Sequence, residues 1–206
     1  MKLRPKFFIY NMKKIKLKIL KIFRKLDFEG YYSAFTLKLE NSGVTGYEPC
    51  YNYSRLLKKC KVTKDDSFID IGSGKGCALY YARKFPFSLI DGVELSKDLA
   101  DISIENIKIL KDDRLHVYNI DAREFKEYEK YNYFYMYNPC NELVMNLILK
   151  LILESYKRKK RTITVIYQTP KHKDCFLQQG FKLVYSGKKG VIMRLYRDDE
   201  FKEENK

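Results

Sequence analysis

The sequence predicts an α/β fold: an open, mainly parallel seven-stranded sheet with a C-terminal antiparallel hairpin, helices on both faces, and a basic amphipathic helix at the N-terminus. Three observations carry this. Five short runs of strand-forming residues alternate with helical stretches. The first of these runs opens directly into a glycine-rich turn. The last two strand-like runs are joined by only four residues.

Taken in order, residues 6–26 place Met12, Ile15, Ile19, Ile22, Phe23 and Leu26 at three- and four-residue steps, with Leu17 and Leu20 widening the apolar face and lysines largely opposite. A helix of this kind packs on its domain, or lies against an anionic membrane or another polyanion. Gly30 to Pro49 is turn-rich, with Asn41-Ser42-Gly43 and Gly46-Tyr47-Glu48-Pro49, and residues 51–60 read as a short amphipathic helix. The runs Ser67–Ile71, Ser88–Leu95, Leu115–Ile120, Tyr131–Tyr137 and Thr162–Thr169 follow as strands. Helices are expected near 76–85, 97–110, 122–129 and 141–157. Parallel neighbours need crossover connections, which these helices supply. Phe181–Ser186 and Val191–Arg197, linked by Gly187-Lys188-Lys189-Gly190, read as a hairpin. The implied organisation is an N-terminal extension over residues 1–45, a domain over 46–198, and a charged tail over 199–206.

Composition narrows the classes. The chain has 206 residues with a 45% hydrophobic fraction, enough for one sizeable core. The apolar run Leu143–Leu153 is short and broken by Asn146 and Lys150, so no membrane span is expected. Nor is a secretory signal, because lysines interrupt the first apolar stretch. Five cysteines without a C-x-x-C pair, and only His116 and His172 beside them, give no metal site or disulfide framework. A reducing, cytoplasmic location follows, at the membrane periphery if the first helix binds lipid. Neither histidine stands where a base is needed. The net charge of +15 is uneven: residues 1–30 carry ten basic and two acidic groups. Such a surface suits anionic partners, although an AT-rich coding sequence produces the same overall bias.

The sharpest motif is Asp70-Ile71-Gly72-Ser73-Gly74-Lys75-Gly76, a buried strand entering three spaced glycines ahead of a helix. Glycine is needed where φ is positive and where a ligand approaches the main chain. A dinucleotide fingerprint requires a glycine at Cys77. A phosphate loop requires one at Ile69 and a hydroxyl residue at Gly76. Both readings fail on those residues.

D-x-G-x-G-x-G resembles the first motif of class I S-adenosylmethionine-dependent methyltransferases, which have a Rossmann-like fold, and the resemblance runs from about Tyr47 to Tyr196. It implies S-adenosylmethionine as cofactor and methyl transfer as the activity. Gly72, Gly74 and Gly76 would pass beside the methionine part. Asp70 would act through a water, through the cofactor amine, or by fixing the loop. Glu94, 24 residues after Asp70, would hold both ribose hydroxyls, with Leu95 beside it. Asp121, followed by Ala122, would meet the adenine. Asn138-Pro139 at the end of the fourth strand matches half of the [DNS]-P-P-[YFW] motif of amino methyltransferases. Cys140 and Asn141 replace the part whose aromatic residue stacks on a flipped base. Asn138 would orient an acceptor N–H, contact the cofactor, or shape the loop. The segment Gly46-Tyr47-Glu48-Pro49 is similar to one in methyltransferases of the histone-lysine type. This makes Tyr47 and Glu48 cofactor-side residues, with a plain turn into a helix as the other reading; Tyr47 and Asn138, the candidate catalytic residues, would line the acceptor pocket together with the tyrosines of the fourth strand.

The acceptor is not legible. A protein lysine or a small molecule is favoured; nucleic-acid methylation and a non-catalytic cofactor-binding module held on a membrane or polyanion are the alternatives.

Overall fold

A computed structural model of the chain describes residues 5–50 and 53–197; the charged tail and Tyr51 lie outside the described residues. In chain order the elements are α1 (Pro5–Arg24), β1 (Tyr32–Ser33), β2 (Gly46–Tyr47), α2 (Tyr53–Leu57), β3 (Ser67–Ile71), α3 (Cys77–Ala82), β4 (Leu89–Glu94), α4 (Lys97–Leu110) and β5 (Leu115–Asn119). They continue with β6 (Tyr133–Tyr137), α5 (Glu142–Arg158), β7 (Ile163–Gln168), α6 (Lys173–Gln178), β8 (Lys182–Gly187) and β9 (Gly190–Leu195).

The seven-stranded sheet has the order β5-β4-β3-β6-β7-β9-β8. β3 pairs in parallel with β4 and β6, and β7 extends that parallel run, while β9 enters antiparallel between β7 and β8. The chain therefore winds outward from β3 on one side, then returns to start again at β6 on the other. In such sheets the loops at the carboxyl ends of the two strands diverge and leave a crevice. The glycine loop and the Asn138 loop flank that crevice.

The central strands are buried on both faces, so β3 reads as a nearly unbroken apolar run with Asp70 its one charged member. Alternation splits its residues between two cores. Ile69 and Ile71 join Met136, Met145 and Ile148 beneath α5, whereas Phe68 joins Leu79, Phe87 and Tyr135 beneath α3. Side-chain caps start two helices: Ser96 accepts from the Leu99 N–H and Asn141 from the Val144 N–H.

Three features differ from expectation. No α-helix forms over 122–129. The Asp121 carboxylate accepts from the backbone N–H of Arg123, a local bond that competes with helix, and only a 3-10 turn at Tyr128–Lys130 follows, burying Phe125 and Tyr128. β1 and β2 pair antiparallel and α6 precedes the hairpin; all three are too short to have a periodic signature. Finally, α1 docks through Leu17 and Leu20, while the broader stripe of Met12, Ile15, Ile19, Ile22 and Phe23 faces outward.

Candidate active site

The glycine loop takes left-handed φ at each glycine: 75° at Gly72, 54° at Gly74 and 78° at Gly76. Space forbids a side chain as firmly as conformation does. A Cβ on Gly74 would lie 2.2 Å from the Tyr47 ring, and one on Gly76 2.4 Å from Ser103 Oγ. The loop amides are largely used internally. Gly72 and Ser73 donate to the Val93 carbonyl, Gly76 to that of Ser73, and Gly74 to Glu94 Oε2 at 2.7 Å. These N–H groups are not free to cradle a phosphate. Lys75, the residue a phosphate loop would aim at its ligand, turns away and is buried. Its Nζ donates to the Glu29 carbonyl at 2.6 Å and lies 3.4 Å from Asp27 Oδ2.

Three acidic residues stand at the carboxyl ends of β3, β4 and β5. Glu94 is buried and accepts one backbone N–H on each oxygen, from Gly74 at 2.7 Å and Ser96 at 2.8 Å. A carboxylate offers about four acceptor positions, so each oxygen retains one for a hydroxyl donor. Burial pushes the Glu94 pKa up, and the backbone N–H groups of Ser96, Gly74 and Leu95 pull against that shift. Asp70 is also buried, and its pKa is pushed well up, by burial first and then by the Glu94 and Cys77 charges. A cation beside it would offset that cost. Asp121 differs. Arg123 grips both its oxygens, at 2.5–3.0 Å, and holds its pKa down, so this carboxylate reaches the cavity already paired.

The opposite wall comes from the N-terminal extension. The Thr45 hydroxyl donates to the Asn138 carbonyl at 2.6 Å, the Thr45 N–H to the Pro139 carbonyl and the Asn141 N–H to the Gly43 carbonyl, while Val44 bridges Cys140. Residues 43–45 thus run as an edge along the loop after β6. Tyr47 lays its ring on Gly74 and donates its hydroxyl to the Phe28 carbonyl at 2.9 Å. Its oxygen is bonded away from the crevice, which makes Tyr47 a wall. Asn138 itself has a left-handed φ of 41°, and its buried Oδ1 has no hydrogen-bond partner. An orphaned buried acceptor is costly unless a ligand donor meets it.

These walls enclose a cavity of about 420 Å³, a size ordinary for small-molecule and cofactor sites. Every cofactor-side residue expected from the sequence lines it, Gly76 excepted, and so do Tyr47 and Glu48. Thr45, Cys50, Cys77 and Arg123 line it too and were not expected. Lys75 was missed as the clamp on the extension. Its one sequence signal is a lysine inside a glycine loop that has no phosphate to bind. Among the described residues no cluster of side chains could hold a metal ion.

Comparison with known proteins agrees with this geometry. The family described as "Histone methylation protein DOT1" matches residues 32–152, a span that begins inside the extension. No curated protein matches the chain. Among solved structures, an RNA methyltransferase from Salinibacter ruber, in complex with S-adenosyl-L-homocysteine, superposes with a TM-score of 0.53 at 17% identity. The match covers 73% of this chain and 92% of that one. The ribosomal protein L11 methylase of Lactobacillus delbrueckii subsp. bulgaricus gives 0.55 at 10% identity, covering 76% and 82%. An S-adenosylmethionine-dependent methyltransferase from Aquifex aeolicus gives 0.53 at 14%, covering 69% and 89%. At these identities the likeness is one of fold.

The cavity fits the cofactor of such enzymes on its own features: a glycine bend where side chains have no room, a two-oxygen acceptor in Glu94, and the orphaned Asn138 oxygen. The chain belongs to the DOT1 family and is an S-adenosylmethionine-dependent methyltransferase.

Proposed function

We propose that this enzyme methylates the side-chain amino group of a protein lysine. The observation that carries the reading is Asn138 Oδ1: a buried, unpartnered acceptor at the carboxyl end of β6, on the wall of the cavity. An amine offers N–H donors to such an oxygen and keeps its lone pair free for attack. The family description, histone methylation, supports the same acceptor class. A flipped base finds less support. Cys140 stands where an aromatic residue would stack, and it is buried against Val44.

S-adenosylmethionine, when bound, supplies a methyl group already activated on a sulfonium. The chain's task is then alignment and exclusion of water. Glu94 would hold the ribose hydroxyls and Asp70 would face the ammonium of the methionine part. Gly72 and Gly74 would give the main chain its close approach, and Ala122 and Leu95 the apolar sides of the nucleoside slot. Asn138 would fix one N–H of the lysine amine. Two of the cavity's acidic groups keep their protons at neutral pH. Burial raises the Tyr137 hydroxyl, beside Glu48, and the Cys140 thiol, the latter to about 12. Neither therefore serves as the base, and the amine would enter with its lone pair free.

The test is transfer of tritiated methyl from the cofactor into a lysate separated into protein, nucleic-acid and metabolite pools, with the protein pool hydrolysed to amino acids. Label in methyl-lysine supports the reading. Label confined to nucleic acid or metabolites overturns the acceptor while leaving methyl transfer intact.

A further inference from the structure

An α-helix turns about 100° per residue. On α1, Met12, Ile15, Ile19, Ile22 and Phe23 fall within an arc of about 100°. All five are exposed, from 49% at Ile19 to 78% at Phe23. Leu17 and Leu20, which dock the helix on the domain, are centred roughly 140° away. The outer stripe is thus not the packing face, and nothing among the described residues covers it. Lys18 borders it on one side and Lys16, exposed but with its ammonium 5.5 Å from the centre of the Tyr81 ring, on the other, and no acidic residue occurs between Pro5 and Arg24. No helix among the described residues is long and apolar enough to cross a membrane.

We infer that α1 seats the enzyme on an anionic lipid surface. In that pose the helix lies in the plane of the interface, with the stripe entering the acyl boundary and Lys16 and Lys18 at the headgroups. Exposed apolar stripes of this width mark interaction surfaces. A basic border around an apolar stripe is the pattern of interfacial helices. The charge argues against other occupants. A second copy seated on the same stripe would bring the lysine borders together. A nucleic acid would meet five apolar side chains before any cation. The docked leucines keep the helix on the domain, so the surface is preformed.

The test is sedimentation of the full chain with vesicles of phosphatidylcholine alone or mixed with phosphatidylglycerol. Partitioning should favour the mixed vesicles by at least about tenfold and weaken with salt. Ile19→Asp combined with Phe23→Asp should lower it by at least about tenfold. Lys16→Gln and Lys18→Gln should each lower it about fivefold. Titration with S-adenosylmethionine should give wild-type affinity for all variants, which shows that they are folded. Unchanged partitioning of the Asp variant overturns the inference. So does failure to bind vesicles combined with self-association that the Asp variant abolishes, or with binding to duplex DNA.

Discussion

Replacing Glu94 by Gln separates what the carboxylate does for the loop from what it does for a ligand. Glutamine has the same shape, but one of its two terminal groups becomes a donor. In the unliganded protein, Oε2 accepts from Gly74 and Oε1 from Ser96, so one of those N–H groups would face an NH₂. A hydrogen bond to a charged acceptor contributes about 1.5–3 kcal/mol. Its loss is partly offset because a buried charge is removed at the same time. At roughly 3 °C per kcal/mol for a chain of this size, Tm should fall by only a few degrees. Binding loses a further charge-assisted bond, since one ribose hydroxyl no longer meets an anionic oxygen. That is again about 1.5–3 kcal/mol, or a Kd for S-adenosylmethionine raised about 10- to 150-fold. Calorimetric titration measures the Kd and thermal unfolding without ligand measures the loop. A Kd within threefold of wild type, together with the lowered Tm, would mean that Glu94 only ties Gly74 to Ser96, and the ribose assignment would fail.

Other substitutions probe the remaining walls. Asp70→Asn tests the buried acid. Because its folded pKa is raised, the protonated form favours the fold; that stability is fully present below the unfolded value, near 3.8, and is lost as pH rises through the folded value. The Asn variant should match wild type near pH 4 and gain in Tm over it as pH rises; a difference independent of pH contradicts the burial argument. Lys75→Met removes the buried clamp on Asp27 and Glu29, while Asp27 keeps Lys21, and should cost about 1–2 kcal/mol, roughly 3–6 °C in Tm, with weaker cofactor binding. Unchanged stability would show that the extension is held elsewhere. Gly74→Ala forces a Cβ at positive φ into Tyr47 and should raise the cofactor Kd while reducing the near-UV circular dichroism of the tyrosines. Asn138→Ala should lower kcat at least about tenfold with the cofactor Kd within threefold, if this oxygen orients the acceptor; a change in Kd alone assigns it to the cofactor.

The sheet was legible because its determinants are local. Each central strand is a short apolar run, and Gly72, Gly74 and Gly76 are required by a single tight bend. Glu94 and Asp121 were found by counting along successive strand ends, which a wound topology converts into proximity. The wall opposite was legible only at Tyr47 and Glu48, through the resemblance of their segment to the histone-lysine type. Residues 43–47 reach Asn138, Pro139 and Gly74 through backbone bonds and a ring contact between segments far apart in sequence, and no periodicity announces them. Asp121 was read by position, but its pairing with Arg123 depends on a side-chain rotamer that spacing does not encode. On α1 the sequence gathered all the apolar residues into one face. The fold divides them, because Leu17 and Leu20 suffice to seat the helix against the core that includes Cys77, Ala78 and Leu79.

The most direct measurement is a crystal structure of the enzyme with S-adenosylhomocysteine. The ribose hydroxyls should lie on the Glu94 carboxylate and the methionine part along Gly72 and Gly74, with the sulfur facing Asn138 Oδ1 across the acceptor space. A nucleoside bound outside this cavity, or a sulfur turned away from Asn138, would contradict this assignment.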